Sequence, residues 1–236
     1  MKFIILTLFP EVVCEFLQHG VIGKALATGA VELQAVHPRD FAKDAHRSVD
    51  DSPCGGGAGM VLRYDVMFEA FRSIELQPNH QVALMDPRGE PFSQPIAKEL
   101  ARADQLILIC GHYGGVDERI RTELCHRTIS LGDFVLTGGE IPALAIVDAV
   151  TRLQGGVLGN EESLVGETFE GDLLGYPQFT RPVGVEGALV PDVLLSGDHQ
   201  AIRQWRRQQA LMETARVRPD LLAKARLEKG DADLLK

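Results

Sequence analysis

The fold is decided by the stretch Gln105-Leu106-Ile107-Leu108-Ile109-Cys110-Gly111-His112-Tyr113-Gly114-Gly115. Its first part is an almost uninterrupted apolar run, which is typical of a strand buried on both faces of a parallel sheet. Its second part is a glycine-rich turn, and helical spacing follows over Val116–Leu124. A buried strand, a turn and a helix in this order predict one unit of an α/β fold.

The same alternation of apolar strands and helices extends on both sides of this stretch. It predicts an α/β fold with a mostly parallel sheet and flanking helices. The predicted strands are Lys2–Leu8, Val31–Val36, Gln81–Met85, Gln105–Cys110 and Thr128–Leu131. The predicted helices are Pro10–Gln18, Tyr64–Ile74, Ser93–Arg102, Val116–Leu124 and Ile141–Leu153.

The pattern changes after Leu153. Residues 154–182 are rich in glycine, glutamate and proline and show little periodicity, and a loop of that length is usually functional or a linker. Beyond it, Asp198 is a favourable N-cap for a helix that ends near Ala215, and Pro219 is a favourable first residue for another. We therefore expect a small C-terminal helical domain.

The charged side chains are unevenly distributed. The chain has a net charge of −9, which by itself disfavours a nucleic-acid partner. Residues 1–175 carry 14 basic and 25 acidic side chains, whereas residues 176–236 carry 10 and 8. The basic excess in the last part is consistent with a helical tail that happens to be basic and equally with a nucleic-acid contact.

Several classes of protein are disfavoured by the composition. No apolar run approaches the roughly 20 residues that span a bilayer, so we expect no membrane partner. The N-terminal residues lack the small-residue cleavage site of a signal peptide and are predicted to form the first strand. The four cysteines are scattered and form no CxxC pair, which disfavours a structural zinc site and suits a reducing compartment. A cytoplasmic location is therefore expected.

Two further turns end predicted strands. Met85-Asp86-Pro87 follows one strand, and Gly138-Gly139 opens the helix at Ile141. Ligands in open α/β sheets bind outside the carboxyl ends of the strands, so these turns and Gly111–Gly115 predict one pocket. Its glycine turns offer no lysine for a phosphate chain, which suits an adenosine-like ligand such as S-adenosylmethionine. The run Gly55–Gly59 lacks the context of a dinucleotide or Walker A loop.

The turns lie within longer motifs that together resemble one known family. Gly111–Arg119 (GHYGGVDER) is similar to its GxYxGxDER motif, and Ser130–Ala143 (SLGDFVLTGGEIPA) is similar to its second glycine motif. Further matches are Asp50–Met60, Gly155–Gly159, Thr180–Pro182 and Pro191–His199. By these motifs the chain resembles the bacterial tRNA (guanine-N1)-methyltransferases, which belong to the knotted SPOUT methyltransferases.

The resemblance implies a SPOUT-type knotted, mostly parallel sheet in residues 1–159, with a C-terminal trefoil knot. It implies an interdomain linker over residues 160–175 and a helical tRNA-binding domain over residues 176–236. The implied reaction transfers a methyl group from S-adenosylmethionine to N1 of the guanosine immediately 3′ of the anticodon, position 37. A homodimer with composite active sites is also implied. Mg²⁺ fits the behaviour of the family, but the sequence does not specify a metal site.

The resemblance also implies which residues of this chain contact the ligands. The implied cofactor-binding residues are Met85, Asp86, Pro87, Gly111, Tyr113, Gly114, Gly115, Ser130, Leu131, Gly132, Phe134, Leu136, Gly138, Gly139 and Pro142. The implied tRNA-binding residues are Arg203, Arg206, Arg207, Arg216 and Arg218. Gly55–Gly59 is expected beside the guanosine or at the dimer interface.

The implied catalytic residues are Arg152 and Glu167. Arg152 would face the negative charge that develops on the guanine, although the helix macrodipole alone also favours a cation at a helix C-terminus. The family has an aspartate where Glu167 stands, so Glu167 is the expected general base. Glu170 and Asp172 are rivals for this role in the same loop.

Two more positions depart from the family pattern. Gly114 stands where many relatives carry glutamate, and Gly175 stands where the family usually has aspartate. These departures leave two alternatives open. One is a SPOUT methyltransferase that acts on another RNA target, and the other is a catalytically weakened tRNA-binding relative.

Overall fold

The structure is a computed structural model that describes residues 1–159, 167–169 and 171–235. The chain divides into two compact units, Met1–Gly159 and Asn160–Lys236. Glu170, one rival for the general base, lies outside the described residues.

Strands and helices are named here in chain order for the described residues. The strands are β1 (Lys2–Leu6), β2 (Glu32–Val36), β3 (Asp50–Asp51), β4 (Val61–Leu62), β5 (His80–Pro91), β6 (Gln105–Cys110), β7 (Arg127–Ser130), β8 (Gly184–Val185) and β9 (Ala188–Leu189). The α-helices are α1 (Pro10–Leu17), α2 (Gly20–Ala27), α3 (Tyr64–Arg72), α4 (Gln94–Leu100), α5 (Glu118–Leu124), α6 (Glu140–Thr151), α7 (His199–Val217), α8 (Pro219–Leu222) and α9 (Asp231–Leu234).

The first unit is built around a five-stranded parallel sheet in the order β2-β1-β6-β5-β7. Every residue of the central strand β6 is buried. Successive side chains of a strand point to opposite faces. Leu106 and Leu108 therefore pack with α1, α2, α4 and α6, while Ile107 and Ile109 pack with α3 and α5. The predicted α/β class with a mostly parallel sheet is confirmed.

Two elements of this unit differ from the prediction. The sequence predicts the end of a strand at Met85, but β5 continues to Pro91 through a register shift, after which Glu90 pairs with Ile129 of β7. The segment between them is an irregularity inside the strand and not a terminating turn. Helix α2 is not predicted, because two glycines weaken its helical propensity. It forms because its apolar face is buried in the core, where tertiary packing outweighs propensity.

The second unit contains the long helix α7 and a small apolar core. Asp198 caps α7 by accepting hydrogen bonds from two backbone N–H groups of the first turn, as the sequence predicts. Leu173, Ala210 and Leu211 form the buried centre of the unit. The hairpin of β8 and β9 is not predicted by the sequence. The helical character expected of this part is present, and its boundaries as a domain stay a prediction.

His126, at the start of β7, is held as a neutral side chain. Its Nδ1 accepts a hydrogen bond from the backbone N–H of Val82 at 3.0 Å, which requires an unprotonated nitrogen. Burial, and then the neighbouring ring of His80, lower the pKa of His126 below its usual value. The folded state therefore binds fewer protons than the unfolded chain, and stability falls as the pH drops below about 6.5 toward the folded pKa.

We expect the free energy of unfolding to fall between about pH 7 and about pH 5.5 in the wild-type protein, and to fall less in His126→Asn. Asparagine keeps an acceptor oxygen near the position of Nδ1 but does not titrate. Denaturant titrations of both proteins at both pH values measure the difference. Equal losses in the two proteins would show that His126 does not carry this pH dependence.

Candidate functional site

A cavity of about 690 Å³ lies at the carboxyl ends of β6 and β7, beside the irregular segment that follows Met85 in β5 and beside the start of α6. All of the residues expected to bind the cofactor line this cavity, except Gly132. Gly132 lies beside it, because its N–H donates to the hydroxyl of Ser130 at 3.2 Å. The structure therefore brings together motifs that are separated by up to about fifty residues in sequence, and their binding role stays a prediction.

The turn after β6 and the turn before α6 are in direct backbone contact. The N–H of Gly139 donates to the carbonyl of Gly111 at 2.9 Å. A Cβ atom at Gly139 would lie 2.6 Å from Cα of Cys110, closer than real Cβ contacts. Only glycine lets the two turns approach this closely, so the cavity wall here consists of main-chain atoms.

A buried polar group supports this wall from behind. Nε2 of His112 lies 3.1 Å from Oε2 of Glu140, and the hydroxyl of Thr7 donates to Oε1 of Glu140 at 2.7 Å. The three residues come from the ends of β1 and β6 and from the first turn of α6. The N-terminus of a helix favours a carboxylate such as that of Glu140.

The sequence alone does not single out this group. His112 has no paired metal spacing, and Glu140 is 28 residues away from it in the chain. The available signal was the motifs themselves, since His112 lies inside Gly111–Arg119 and Glu140 inside Ser130–Ala143.

Charged side chains form one edge of the cavity. Arg88 makes two side-chain hydrogen bonds to Asp86, at 3.0 and 2.8 Å, and its guanidinium lies 3.7 Å from Glu118. The hydrogen bonds from Arg88 lower the pKa of Asp86, which stays ionised. Arg88 and Glu118 line the cavity but were not among the predicted residues.

The lining of the cavity fits an adenosine-like ligand. Leu131, Phe134, Leu136 and Pro142 supply apolar surface, and the glycine turns supply backbone donors and acceptors. Its volume is within the range of about 300–1,000 Å³ that is usual for small-molecule sites. No lysine is present in the described lining, which suits a ligand without a phosphate chain. S-adenosylmethionine meets these requirements.

Gly114 joins the cavity to the segment after Gly55–Gly59. Its N–H donates to the carbonyl of Met60 at 2.8 Å, and a Cβ atom at Gly114 would lie 2.9 Å from the same oxygen. A glutamate, as in many relatives, would require Met60 to move. Gly55–Gly59 does not line the cavity, and its expected place beside the guanosine or at a dimer interface stays a prediction.

Neither of the two expected catalytic residues is among the residues that line this cavity. Arg152 directly follows α6, whose twelve residues span about 18 Å, and the cavity is at the opposite end of that helix. Glu167 belongs to the second unit. Its neighbour Thr168 accepts a hydrogen bond from the N–H of Gly175 at 2.9 Å.

Two contacts in this region bear on the choice of base. A carboxylate oxygen of Asp172 accepts a hydrogen bond from the backbone N–H of Arg226 at 2.8 Å, so Asp172 has a structural partner within the second unit. A Cβ atom at Gly175 would lie 2.9 Å from the hydroxyl oxygen of Thr168. Gly175, a departure from the family pattern, is therefore in contact with the residue that follows Glu167.

The five arginines expected to bind tRNA fall into two groups. One group is formed by Arg207, Arg216 and Arg218, which each form an ion pair with a carboxylate. The guanidinium of Arg207 donates two hydrogen bonds to the carboxylate of the buried Asp231, at 3.1 and 2.6 Å. Arg203 and Arg206 are exposed and have no ion-pair partner among the described residues. The geometry gives Arg207 a structural role, and the phosphate contacts of all five stay a prediction.

Two features are absent from residues 1–159, 167–169 and 171–235, the part of the chain that the structure describes. In these ranges no helix is both long and apolar enough to cross a membrane. Within the same ranges, no three histidine, cysteine, aspartate or glutamate side chains cluster so that they could hold a metal ion.

Comparison with known proteins identifies the family. The profile of the family described as tRNA (Guanine-1)-methyltransferase matches residues 1–224. A relative from Synechococcus sp. is 53% identical over 235 residues, which cover 100% of this chain and 94% of the relative. A relative from Gloeothece citriformis is 54% identical over 231 residues, which cover 98% of this chain and 100% of the relative.

A third relative, from Moorella thermoacetica, is 51% identical over 240 residues and covers 100% of this chain and 95% of its own length. All three carry the name tRNA (guanine-N(1)-)-methyltransferase. The resemblance inferred from the motifs is thereby confirmed. This chain belongs to the tRNA (guanine-1)-methyltransferase family.

Proposed function

We propose that this chain transfers a methyl group from S-adenosylmethionine to N1 of the guanosine at position 37 of tRNA. The observation that carries the proposal is the cavity beside Met85 of β5 and at the carboxyl ends of β6 and β7. It is lined by residues of the motifs Gly111–Arg119 and Ser130–Ala143 and fits an adenosine-like ligand. The names of relatives that are about half identical over nearly their whole length support the tRNA guanine target.

The chemistry requires a base and a cation. Guanine N1 carries a proton at neutral pH and is a poor nucleophile until that proton is removed. We assign its removal to the carboxylate of Glu167, a step that typically contributes about 10²–10⁴-fold. As this happens, negative charge develops on O6, and we assign the stabilisation of that charge to the guanidinium of Arg152. S-adenosylmethionine, when bound, supplies the electrophilic methyl group.

The position of Arg152 supports a homodimer with composite active sites. Within one chain, α6 separates Arg152 from the turn at Gly139 by about 18 Å. That distance is too long for one guanine to contact Arg152 and a methyl donor in the cavity of the same chain. A second copy that packs α6 against this one would supply the arginine.

An exposed apolar surface supports the same assembly. Phe9, Val12 and Phe16 follow the outer side of α1, with exposures of 41%, 52% and 56%. Ile141 on the neighbouring α6 is 58% exposed. Contiguous apolar patches of this kind mark interaction sites, and most homo-oligomers are dimers with twofold symmetry.

We expect Phe16→Glu to shift the protein from dimer to monomer and to abolish methyl transfer, because a charge in the centre of an apolar interface loses its hydration. Sedimentation velocity and methylation of a tRNA transcript measure the two effects. Leu76→Glu is the matched control, since Leu76 is 43% exposed and lies outside this patch. If the Phe16→Glu protein is dimeric and active, this surface is not part of the dimer interface.

Other parts of the family pattern complete the proposal. We assign a trefoil knot to the segments around the cavity, supported by membership of the family whose knotted fold the motifs imply. We assign tRNA binding to residues 176–236, which carry the basic excess. Mg²⁺ is implied by the family resemblance alone, and in residues 1–159, 167–169 and 171–235 no cluster of three histidine, cysteine, aspartate or glutamate side chains specifies a site for it.

The test is methylation of unmodified tRNA transcripts that carry guanosine or adenosine at position 37. The expected result is 1-methylguanosine, detected by mass spectrometry of nucleosides, from the first transcript alone. Product from both transcripts would indicate another RNA position. Binding without product from either transcript would favour the catalytically weakened relative.

A further inference from the structure

The second unit has a small aromatic cavity whose apolar residues have no role assigned above. Its volume is about 220 Å³, and it lies between the segment that precedes β8 and the first turns of α7. Phe179 and Trp205 form its aromatic walls, with ring centroids 6.2 Å apart and ring planes at 57°. The cavity is therefore an apolar corner with two ring faces.

This corner is separate from the buried core of the unit. The core is centred on Leu173, Ala210 and Leu211 and does not include either ring. Phe179 is 44% exposed, and Leu195, which also lines the cavity, is 51% exposed. Apolar side chains that a small unit leaves open beside its own core favour an interaction site over a packing role.

The charges around the cavity have one sign. Arg181 and Arg206 are the charged side chains in its described lining, and both are exposed. The guanidinium of Arg206 lies 4.8 Å from the ring centroid of Tyr176. Arg203 is three residues before Arg206 on α7 and therefore faces the same side. In the described ranges neither Arg203 nor Arg206 has an ion-pair partner, in contrast to Arg207.

We infer that this cavity binds one unstacked nucleobase of the tRNA, with the phosphates next to that base held by Arg181 and Arg206. The inference rests on the proposed function, which supplies the nucleic-acid partner. Aromatic side chains bind unpaired bases by stacking, whichever base is present. Guanidinium groups match phosphate oxygens in geometry and charge. The volume is below that of a usual small-molecule site and suits a single planar base.

Trp205 makes the inference directly measurable, because it is the only tryptophan in the chain. We expect its fluorescence to be quenched when an unmodified tRNA transcript is added, in proportion to binding measured by filter retention. A stem-loop with the sequence of the anticodon arm should also quench, since its loop offers unpaired bases. A fully paired RNA duplex should not.

Variants separate stacking from charge. Trp205→Leu keeps an apolar side chain but removes the ring, and its Kd for tRNA should rise about 5- to 150-fold. Trp205→Phe keeps a ring and should bind as the wild type does. S-adenosylhomocysteine should bind all of these proteins equally. Phe179→Leu, on the exposed wall, provides a second test if Trp205→Leu does not fold.

Several results would overturn the inference. One is tRNA binding with unchanged Trp205 fluorescence and with unchanged Kd in the leucine variants. Another is fluorescence that depends on protein concentration and not on RNA, which would place a second copy of the chain in the cavity. If the protein still methylates tRNA while either of these results is seen, this inference alone is wrong and the proposed function stands. A protein that neither binds nor methylates tRNA would remove the proposed function as well.

Discussion

Replacing Glu167 by glutamine should lower the single-turnover rate of methyl transfer by about 10²–10⁴-fold, the usual contribution of a general base. Glutamine keeps the size of the side chain but cannot accept the proton from guanine N1. Binding of S-adenosylhomocysteine should not change, because Glu167 does not line the donor cavity. Rapid-quench measurement with excess enzyme and an unmodified transcript gives the rate without product release.

Two further variants make this test specific. Glu167→Asp restores the carboxylate of the family pattern, so it should remain far more active than Glu167→Gln. Asp172→Asn should retain most activity, since Asp172 is bonded to the backbone of Arg226. A Glu167→Gln protein as fast as the wild type, or an Asp172→Asn protein that is inactive, would move the base to another residue of this segment.

Replacing Gly139 by alanine should weaken S-adenosylhomocysteine binding by roughly 5- to 150-fold, as expected from about 1–3 kcal/mol of overpacking. The new Cβ atom would lie 2.6 Å from Cα of Cys110 and 2.9 Å from the backbone nitrogen of Gly111. Backbone atoms of a central strand cannot move aside as a side chain can. The two turns must therefore separate, and the wall of the cavity moves with them.

Gly155→Ala is the matched control, because nothing lies within 4 Å of a Cβ atom there. Isothermal titration calorimetry and thermal denaturation of both variants separate the loss of ligand affinity from the loss of stability. Gly139→Ala should lose both, and Gly155→Ala neither. Normal ligand affinity in Gly139→Ala would mean that the turn before α6 does not form part of the binding site.

The central fold was predictable because its signal is local. The apolar run of β6 and the glycines after it lie within eleven consecutive residues, and the structure buries the strand as expected. Helix α2 shows the limit of this approach, since its glycines argue against a helix and its burial is decided by distant residues. The continuation of β5 to Pro91 likewise depends on pairing with β7, which the sequence of β5 does not contain.

The site could be predicted where its residues belong to sequence motifs. It was less predictable where a role depends on two side chains that meet only in the folded chain. His112 has no meaning by itself, and its partner Glu140 is found only when the turns are folded together. Arg207 shows a second limit of the sequence. It stands among other arginines in the sequence, yet its guanidinium is bonded to the buried carboxylate of Asp231. The sequence shows that a charged side chain is present, but it does not show which group that side chain pairs with.

The departures from the family pattern are easier to interpret in three dimensions. Thr168 and Gly175 are seven residues apart and joined by a hydrogen bond, and any side chain at position 175 would meet the hydroxyl of Thr168. The departure at Gly175 is therefore accommodated by a contact with the residue that follows Glu167.

If the cavity binds the methyl donor as proposed, its main-chain wall also affects how resistance to an inhibitor of this enzyme could arise. Resistance usually arises when a side chain that touches the inhibitor is exchanged for another. At Gly139 there is no such side chain to exchange, and adding one brings it against Cys110 and Gly111. For a compound that forms its hydrogen bonds with this turn, few single substitutions would weaken inhibitor binding. Fewer still would do so and preserve binding of the natural methyl donor.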